Sequence, residues 1–530
     1  SPDYLHTYRI TPVSVWNAAA LGLTAEPIEL VLGEYACVPV PRSVLRGVRE
    51  WIGRCGRLRF ERRPPRAGAR GGASFELVAE EADSLADVLG HEQIARMVER
   101  DQRGRVWVGP LARGSIKQAL IKIGYPVDDR GGYLEGDPLP VELRDQTLGG
   151  RPFQVRPYQR GAAEAFHAGG SVLGGSGVIV LPCGAGKTIV GIDVMHLVGA
   201  KTLILTTNTV AVRQWREEIL DKTALGPADV GEYTGEAKRV CPVTITTYQM
   251  LTWRRSKTDR FEHFDLFSSE NWVLVIYDEV HLLPAPIFRV TADLQARRRL
   301  GLTATLVRED EVFCLIGPKR YDVPWKVLES QGFIAPATCV EVRVPLDPSR
   351  RPSYNSAGAR SKFRIASENP AKTAVVERLV ERHSGGRVLV IGQYLDQLEA
   401  LARHLGAPLI TGRTPTAERE RLYSAFKSGE ISVLIVSKVG NFAVDLPEAN
   451  VAIQISGTFG SRQEEAQRLG RILRPKSDGS GAVFYSVVTL GSRDQEFAER
   501  RQLFLTEQGY AYEIVEAQQL ESVPRAESTP

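Results

Sequence analysis

In Val178-Ile179-Val180-Leu181-Pro182-Cys183-Gly184-Ala185-Gly186-Lys187-Thr188, an apolar segment runs into a glycine-rich turn that ends in Gly-Lys-Thr. Small residues let backbone N–H groups curl around phosphate oxygens, and a helix that starts directly afterwards points its N-terminus at the same oxygens. The stricter form of this pattern has glycine where Leu181 stands. We predict that Gly184, Ala185 and Gly186 bind the phosphates of a nucleotide, that Lys187 reaches the β- and γ-phosphates, and that Thr188 ligates Mg²⁺.

On both sides of this turn, apolar strands alternate with amphipathic helices, a pattern typical of parallel α/β layers. The sequence therefore predicts two tandem parallel-sheet domains, 149–345 and 371–515, with a linker rich in Pro, Ser and Arg at 346–370 and a flexible tail at 516–530. The predicted strands are Val178–Leu181, Thr202–Thr207, Val243–Thr247, Val273–Tyr277 and Arg299–Thr303, followed by Val388–Gly392, Pro408–Thr411, Val433–Ser437, Val451–Ser456 and Val483–Val488.

The N-terminal region has a different pattern, with small helices followed by a hairpin. Apolar residues recur at helical spacing in Pro41–Ile52, and an Arg-rich hairpin tip follows. We predict a winged-helix-like α+β region at 1–74 and a small mixed module at 75–148. Ten arginines and two glutamates lie between Arg42 and Arg70, a density that would suit DNA phosphates but equally a solvated basic face.

A pair of carboxylates follows the predicted strand Val273–Tyr277, in Asp278-Glu279-Val280-His281. Such a strand end can place Asp278 to hold Mg²⁺ and Glu279 to polarise an attacking water. Alone, two acids at a strand end can equally be solvated charges. Together with the phosphate-binding turn, they predict nucleotide hydrolysis.

An arginine pair in the second α/β domain completes the set, in Gln467-Arg468-Leu469-Gly470-Arg471-Ile472-Leu473-Arg474. Arg471 and Arg474 project from one face of a helix, where they could act as arginine fingers on a γ-phosphate or form an exposed basic surface. Fingers on the second domain and the phosphate loop on the first would place the nucleotide in a cleft between them. Closing and opening of that cleft would step the protein along a track.

Composition excludes several classes of protein. The net charge of +4 is too small to indicate nucleic-acid binding by itself. The six cysteines are scattered and form no zinc or iron–sulfur pattern, which is typical of a reducing cytoplasm. No apolar run approaches the ~18 residues needed to span a membrane.

The phosphate loop, the Asp-Glu-Val-His segment and the Gln-x-x-Gly-Arg-x-x-Arg segment resemble, in this order, the motifs of superfamily-two helicases. More narrowly, Thr303-Ala304-Thr305 followed by Arg308-Glu309-Asp310 resembles XPB-type helicases. The resemblance implies two RecA-like domains, ATP and Mg²⁺ as cofactors, and 3′→5′ DNA helicase activity in nucleotide excision repair. It also implies DNA as partner, with a nuclease or another repair protein as a further one, in a monomer associated with the bacterial nucleoid.

The resemblance also assigns individual residues. Arg156 and Gln159 match the adenine-reading motif, and residues 75–148 take the place of a damage-recognition domain. Thr303 and Thr305 match the element that links ATP state to DNA grip, Arg308, Glu309 and Asp310 match the tripeptide associated with unwinding, and His281 and Gln467 would couple the lobes. Two alternatives stay open at this point, a translocase on duplex DNA and a partner-activated ATPase switch in a repair complex.

Overall fold

The computed structural model describes most of the chain. The described residues are 10–20, 22–36, 38–63, 74–108, 113–129, 137–171, 174–256, 262–263, 267, 270, 272–285, 287–288, 291, 296, 298–305, 312–313, 315–437, 449–457, 470 and 481–522. Within them the strands form three sheets. The chain divides into two compact units, one holding the first and second sheets and the other the third sheet.

The N-terminal region is an α+β domain built on a five-stranded sheet of order β3-β4-β2-β1-β5. An antiparallel hairpin of β1 and β2 lies at its centre, and apolar residues that alternate along it, such as Phe60 and Phe75, are buried. The elements are α1 Pro12–Ala20, α2 Ala25–Tyr35, α3 Arg42–Gly53, β1 Leu58–Arg63, β2 Ser74–Ala79, α4 Ala82–Leu89, α5 Glu92–Ala95, β3 Val98–Arg100, β4 Val106–Val108, α6 Arg113–Lys122 and β5 Val127–Asp129.

The predicted boundary between 74 and 75 is wrong. The predicted helix and hairpin are present, but β1 also pairs with β5 and β2 also pairs with β4. Residues from both sides of the boundary, including Phe60, Val108 and Leu120, share one apolar core. A two-stranded hairpin cannot bury its apolar face alone, so it needs the strands and helices that follow it.

The second sheet has seven strands, all parallel, in the order β12-β6-β11-β10-β7-β9-β8. Its central strands are buried along their whole length because helices cover both faces of a parallel sheet. The elements are α7 Pro157–His167, β6 Ser176–Val180, α8 Lys187–Val198, β7 Thr202–Thr206, α9 Thr209–Lys222, β8 Val230–Tyr233, β9 Val243–Thr247, α10 Tyr248–Leu251, β10 Leu274–Asp278, β11 Arg298–Thr303 and β12 Lys319–Asp322.

The third sheet also has seven parallel strands, in the order β15-β16-β14-β17-β18-β13-β19. Its apolar core includes Val342, Val390 and Ile453. The elements are α11 Trp325–Ser330, β13 Ala337–Val344, α12 Arg351–Ser356, α13 Ala359–Ser367, α14 Ala371–Arg382, β14 Val388–Gly392, α15 Leu395–Leu405, β15 Leu409–Ile410, α16 Thr416–Ser428, β16 Val433–Ser437, β17 Val451–Gln454, β18 Ala482–Thr489, α17 Arg493–Glu507 and β19 Tyr512–Glu516.

The predicted end of the first α/β domain at 345 is wrong. β13 pairs along its full length with β18 of the third sheet, so Ala337–Val344 belongs to the second domain. The predicted linker 346–370 is largely helical, and Phe363 of α13 packs against Phe497 of α17. We call residues 137–322 the first lobe and residues 323–522 the second lobe.

The predicted boundary between 148 and 149 is also wrong, because residues before 149 are hydrogen-bonded to the rest of the first lobe. The N–H groups of Leu139 and Arg144 donate to the carbonyls of Gly199 and Lys222 at 2.8 and 2.9 Å. Val141 is buried, and its carbonyl lies 2.7 Å from Nδ1 of a histidine on α8, His196. We call 137–153 the linking segment. Among the helices described, none is both long and apolar enough to cross a membrane.

Candidate nucleotide-binding and hydrolysis site

The phosphate loop joins β6 to α8, as the sequence predicted. Gly184 and Gly186 have φ angles of 83° and 77°, in the left-handed region that glycine adopts without strain. Ala185 is buried, whereas Lys187 and Thr188, at the start of α8, are partly exposed. The residues present therefore fit a nucleotide phosphate, because a helix N-terminus and a flexible turn meet at one point.

Gln159 of α7 lies against this loop. Its side chain is 3% exposed, and its Oε1 accepts a hydrogen bond from the N–H of Arg156 at 3.0 Å. A Cβ added at Gly186 would lie 2.5 Å from Nε2 of Gln159. The structure thus brings together Gln159 and the phosphate loop, two elements that lie far apart along the sequence.

Asp278 is the last residue of β10, and both its carboxylate and its carbonyl accept hydrogen bonds. Nε1 of Trp215 donates to its Oδ2 at 2.9 Å, and the hydroxyl of Tyr248 donates to its carbonyl at 2.8 Å. Burial, and next the charge of Glu279, raise the pKa of Asp278 to about 6, although Trp215 and Lys187 act in the opposite direction. A carboxylate that is costly to ionise in this setting is suited to a divalent cation, which favours the ionised form.

Glu279 has a backbone conformation that is rare for a residue with a side chain. Its φ and ψ angles are 52° and 51°, in the left-handed region. Its Oε2 lies 3.3 Å from Nδ1 of His281, and the same Nδ1 lies 3.0 Å from the hydroxyl oxygen of Thr303. Strained backbone of this kind is found where function requires a defined side-chain direction.

Thr303 connects this pair to the next predicted motif. Its hydroxyl donates to the carbonyl of Thr305 at 2.8 Å and accepts from the N–H of Thr305 at 3.2 Å. Because the single hydroxyl proton is used in this way, Nδ1 of His281 must donate to Thr303. Glu279, His281, Thr303 and Thr305 therefore form one chain of polar contacts, which we call the relay. Hydrogen bonds join His281, Thr303 and Thr305, and the carboxylate of Glu279 lies 3.3 Å from His281.

Six predicted site residues lie outside the described part of the chain. They are Arg308, Glu309 and Asp310 of the first α/β domain and Gln467, Arg471 and Arg474 of the second. Their roles stay predictions.

Sequence reasoning missed two side chains of the site. Trp215 lies on α9 and Tyr248 on α10, and each resembles an ordinary core aromatic until its polar atom is seen to contact Asp278. A buried carboxylate elsewhere in the first lobe was missed as well: Asp193 on α8 lies 2.8 Å from Nη1 of Arg160 on α7. A charged residue within the apolar run of α8 was a signal that could have identified Asp193.

The arginines near the N-terminal hairpin are largely engaged in ion pairs. Arg57, Arg59 and Arg63 lie within 3.6, 3.0 and 2.8 Å of glutamate carboxylates. This pairing favours the solvated basic face for the described arginines, whereas Arg66 and Arg70 lie outside the described residues.

Comparisons with known proteins identify the family. Residues 328–528 match the ERCC3/RAD25/XPB C-terminal helicase family, 152–308 match the res subunit of type III restriction enzymes, and 1–103 match a helicase conserved C-terminal domain. The chain is 52% identical over 525 residues to the DNA 3′-5′ helicase XPB of Mycobacterium tuberculosis, which covers 98% of this chain and 92% of that relative. The chain belongs to the XPB family of DNA helicases. A second XPB, from Kineococcus radiotolerans, is 50% identical and covers 99% of this chain and 92% of its own length.

XPB-family membership confirms the predicted resemblance, the pair of parallel-sheet domains and the enzyme class, an ATP-dependent DNA helicase. A more distant XPB is the helicase/translocase subunit of general transcription and DNA repair factor IIH from Schizosaccharomyces pombe. It is 31% identical and covers 97% of this chain and 71% of its own length.

Proposed function

We propose that this XPB-family chain is an ATP-driven 3′→5′ DNA helicase whose hydrolysis site lies between the phosphate loop and Asp278–Glu279. The observation that carries the proposal is the relay, because it joins the predicted water-polarising carboxylate to Thr303 and Thr305, the predicted DNA-coupling element. A site that only hydrolysed ATP would not need this connection.

In this proposal the first lobe supplies the binding groups. Backbone N–H groups of Gly184, Ala185 and Gly186 and the ammonium of Lys187 bind the phosphates. The hydroxyl of Thr188 and the carboxylate of Asp278 hold Mg²⁺, which when bound neutralises charge on the phosphates. Arg156 and Gln159 bind the adenine.

Glu279 acts as the general base in this proposal. Its carboxylate orients the attacking water and accepts its proton, and its left-handed backbone fixes the direction of the side chain. A proton gained by Glu279 changes its attraction to His281, and His281 in turn holds Thr303. Hydrolysis thereby alters the position of Thr303-Ala304-Thr305.

The second lobe completes the proposed site with Gln467, Arg471 and Arg474. The positive charge of Arg471 and Arg474 would stabilise the transition state for phosphoryl transfer, and Gln467 would couple the lobes to the bound nucleotide. Arg308, Glu309 and Asp310 would contribute to strand separation. We further propose a monomer of the bacterial nucleoid that works in nucleotide excision repair with a nuclease or another repair protein.

The proposal is tested with duplexes that carry a 3′ or a 5′ single-stranded tail. The purified chain should unwind the 3′-tailed duplex with ATP and Mg²⁺ and leave the 5′-tailed duplex intact. The matched control, Glu279→Gln, should bind ATP with unchanged affinity but neither hydrolyse it nor unwind DNA. Unwinding of the 5′-tailed duplex alone, or parent-rate ATP hydrolysis by Glu279→Gln, would contradict the proposal.

A second candidate is a translocase that moves on duplex DNA without separating the strands. It is favoured by the relative from Schizosaccharomyces pombe, which is named a helicase/translocase subunit. A triplex-displacement assay distinguishes the two activities, since a translocase removes the third strand from a blunt duplex that it cannot unwind. A switch activated by a partner would instead show ATP hydrolysis that rises on addition of a repair nuclease.

A further inference from the structure

A buried cluster of charged residues lies in the second lobe, outside the predicted catalytic residues. Lys372 of α14 and Asp494 and Arg501 of α17 are 0%, 1% and 1% exposed. Nζ of Lys372 lies 2.6 Å from Oδ2 of Asp494. Burial, and secondarily Arg501, act to lower the pKa of Lys372, so the proximity of Asp494 is what favours its charge.

Lys372 lies where the backbone pairing between β17 and β18 ends. The parallel ladder of β17 and β18 ends at the pair Gln454 and Ser486. The next carbonyls on each strand, those of Ile455 and Val487, both accept hydrogen bonds from Nζ of Lys372, at 3.0 and 2.8 Å. The three protons of the ammonium group are therefore all used.

Asp494 contacts Thr489, the last residue of β18. Its Oδ2 accepts from the N–H of Thr489 at 3.2 Å, in addition to Lys372. The hydroxyl of Thr489 donates to the carbonyl of Ala366 at 2.6 Å. The ion pair thus fixes the carboxyl end of β18 as well as that of β17.

Arg501 packs on the chain as it leaves β17. A Cβ added at Gly457 would lie 2.3 Å from Cζ of Arg501, so the guanidinium lies directly against this backbone. Ser456, the preceding residue, accepts a hydrogen bond at Oγ from the N–H of Gln393 at 2.9 Å. Ile455, Ser456 and Gly457 are each held by a separate contact, and the segment with Gln467 and Arg471 begins directly after them.

We propose that Lys372, Asp494 and Arg501 are positioning residues that fix the exit of the chain from β17 and thereby set the reach of Gln467 and Arg471. The inference rests on the proposed function of those two residues. Buried ion pairs are a poor means of stabilising a fold, because desolvation offsets most of the attraction, whereas they specify one geometry well. The cluster lies where such specification matters, directly before the segment that carries Gln467 and Arg471.

The sharpest test is Gly457→Ala in the full chain, since it keeps all three charged groups and disturbs only their packing on the exit. DNA-stimulated kcat should fall roughly ten- to a hundredfold, the effect of a misplaced catalytic group. KM for ATP should change by less than about twofold, because first-lobe residues bind the nucleotide. The matched control is Gly385→Ala in the same lobe, where a Cβ meets nothing within 4 Å and kcat should stay at the parent value.

Asp494→Asn provides a second route that keeps the shape of the side chain. It should lower kcat in the same way, with Asp396→Asn, an 84% exposed carboxylate of the same lobe, as control. Urea unfolding gives the folded fraction of every variant, and kcat is compared per folded molecule. If both Gly457→Ala and Asp494→Asn have the same kcat per folded molecule as the parent, the cluster is purely structural and the inference is overturned.

Arg471→Ala, measured in parallel, separates this inference from the proposed function. Loss of kcat in Arg471→Ala with parent kcat in the cluster variants overturns only the positioning role. Parent kcat in Arg471→Ala overturns the finger role on which both depend.

Discussion

At the residue scale, Asp193 shows how burial sets the ionisation of a single side chain. It is fully buried on α8, and burial raises its pKa to about 6 even though Arg160 acts to lower it. The carboxyl group of Asp193 therefore binds its proton more tightly in the folded protein than in the unfolded chain. The contribution to stability is fully present below pH 3.8 and is lost as the pH rises through about 6.

Asp193→Asn should remove this pH dependence. The difference between 3.8 and about 6 corresponds to about 3 kcal/mol, so the free energy of unfolding of the variant should gain up to that amount on the parent between pH 4 and 7. Urea unfolding across that range measures it. Asp221→Asn is the control. Burial acts to raise the pKa of Asp221, but hydrogen bonds from Lys222 and from the N–H of Leu148 outweigh it, so the pKa is lowered. The effect of Asp221 on stability therefore falls at more acidic pH. If the free energies of unfolding of Asp193→Asn and of the parent differed by the same amount at every pH in that range, the prediction would be contradicted.

Thr303 lies in the middle of the relay, where it contacts both His281 and Thr305. Thr303→Val removes all of these hydrogen bonds at nearly constant volume. We expect ATP hydrolysis to continue while the DNA unwound per ATP falls roughly tenfold, about 1.4 kcal/mol of lost coupling. The measurement is unwinding and ATP consumption in the same reaction.

Thr202→Val is the matched control for this prediction. Thr202 is a buried threonine of the same sheet whose hydroxyl donates only to the carbonyl of Ala200 at 2.8 Å. Equal coupling ratios in Thr202→Val and Thr303→Val would remove the relay from the mechanism.

At the element scale, the two ends of α8 have similar backbone conformations but different surroundings. Gly186 and Gly199 flank this helix, and both have left-handed φ angles. A Cβ on Gly186 would also lie 2.5 Å from the amide of Gln159, whereas on Gly199 the nearest atom is 4.0 Å away. The two positions therefore share backbone strain but differ in what a side chain would displace.

Gly186→Ala should weaken ATP binding by at least about tenfold, because both the loop and Gln159 must shift. Gly199→Ala should cost only about 1 kcal/mol of stability and leave the affinity for ATP unchanged. Titration with a fluorescent ATP analogue compares the two variants. Parent affinity in Gly186→Ala would show that Gln159 and the loop adapt to each other.

Three strands of the two α/β domains that the sequence did not predict share a physical property. β8, β12 and β19 are short, lie at sheet edges and carry polar residues such as Glu232, Asp322 and Glu513. An edge strand is covered less completely, so it lacks the continuous apolar run by which the central strands were recognised. β13 alternates Val with Glu341 and Arg343, and this pattern does not indicate which of two sheets the strand joins.

At the scale of the whole molecule, both ends of the first lobe differ from the prediction. A fragment of residues 149–345 would lack residues 137–148 of the linking segment and would expose β13 without its partners in the third sheet. We expect this fragment to aggregate, since Val340 and Val342 would lose their cover and β13 its hydrogen bonds.

A fragment of residues 137–322 should instead be monomeric and stable. Hydrogen bonds of the linking segment, at about 1 kcal/mol each, and burial of Val141 favour this choice of ends. Size-exclusion chromatography and thermal unfolding of the two fragments measure the difference. A soluble 149–345 fragment with the same unfolding temperature would restore the predicted boundaries.

The sequence by itself determined the chemistry of this protein. A phosphate loop, a strand that ends in Asp278-Glu279 and alternating apolar strands are local patterns, and local backbone sterics and burial suffice to specify them. Only the tertiary structure decided which distant residues contact these patterns. Gln159 lies against Gly186, Trp215 donates a hydrogen bond to Asp278, and Lys372 donates one at the end of β17. Such contacts join residues far apart in the chain, and no periodicity or spacing records which distant side chain comes to fill a given space. The domain boundaries followed the same rule, because each depends on which sheet a strand finally joins.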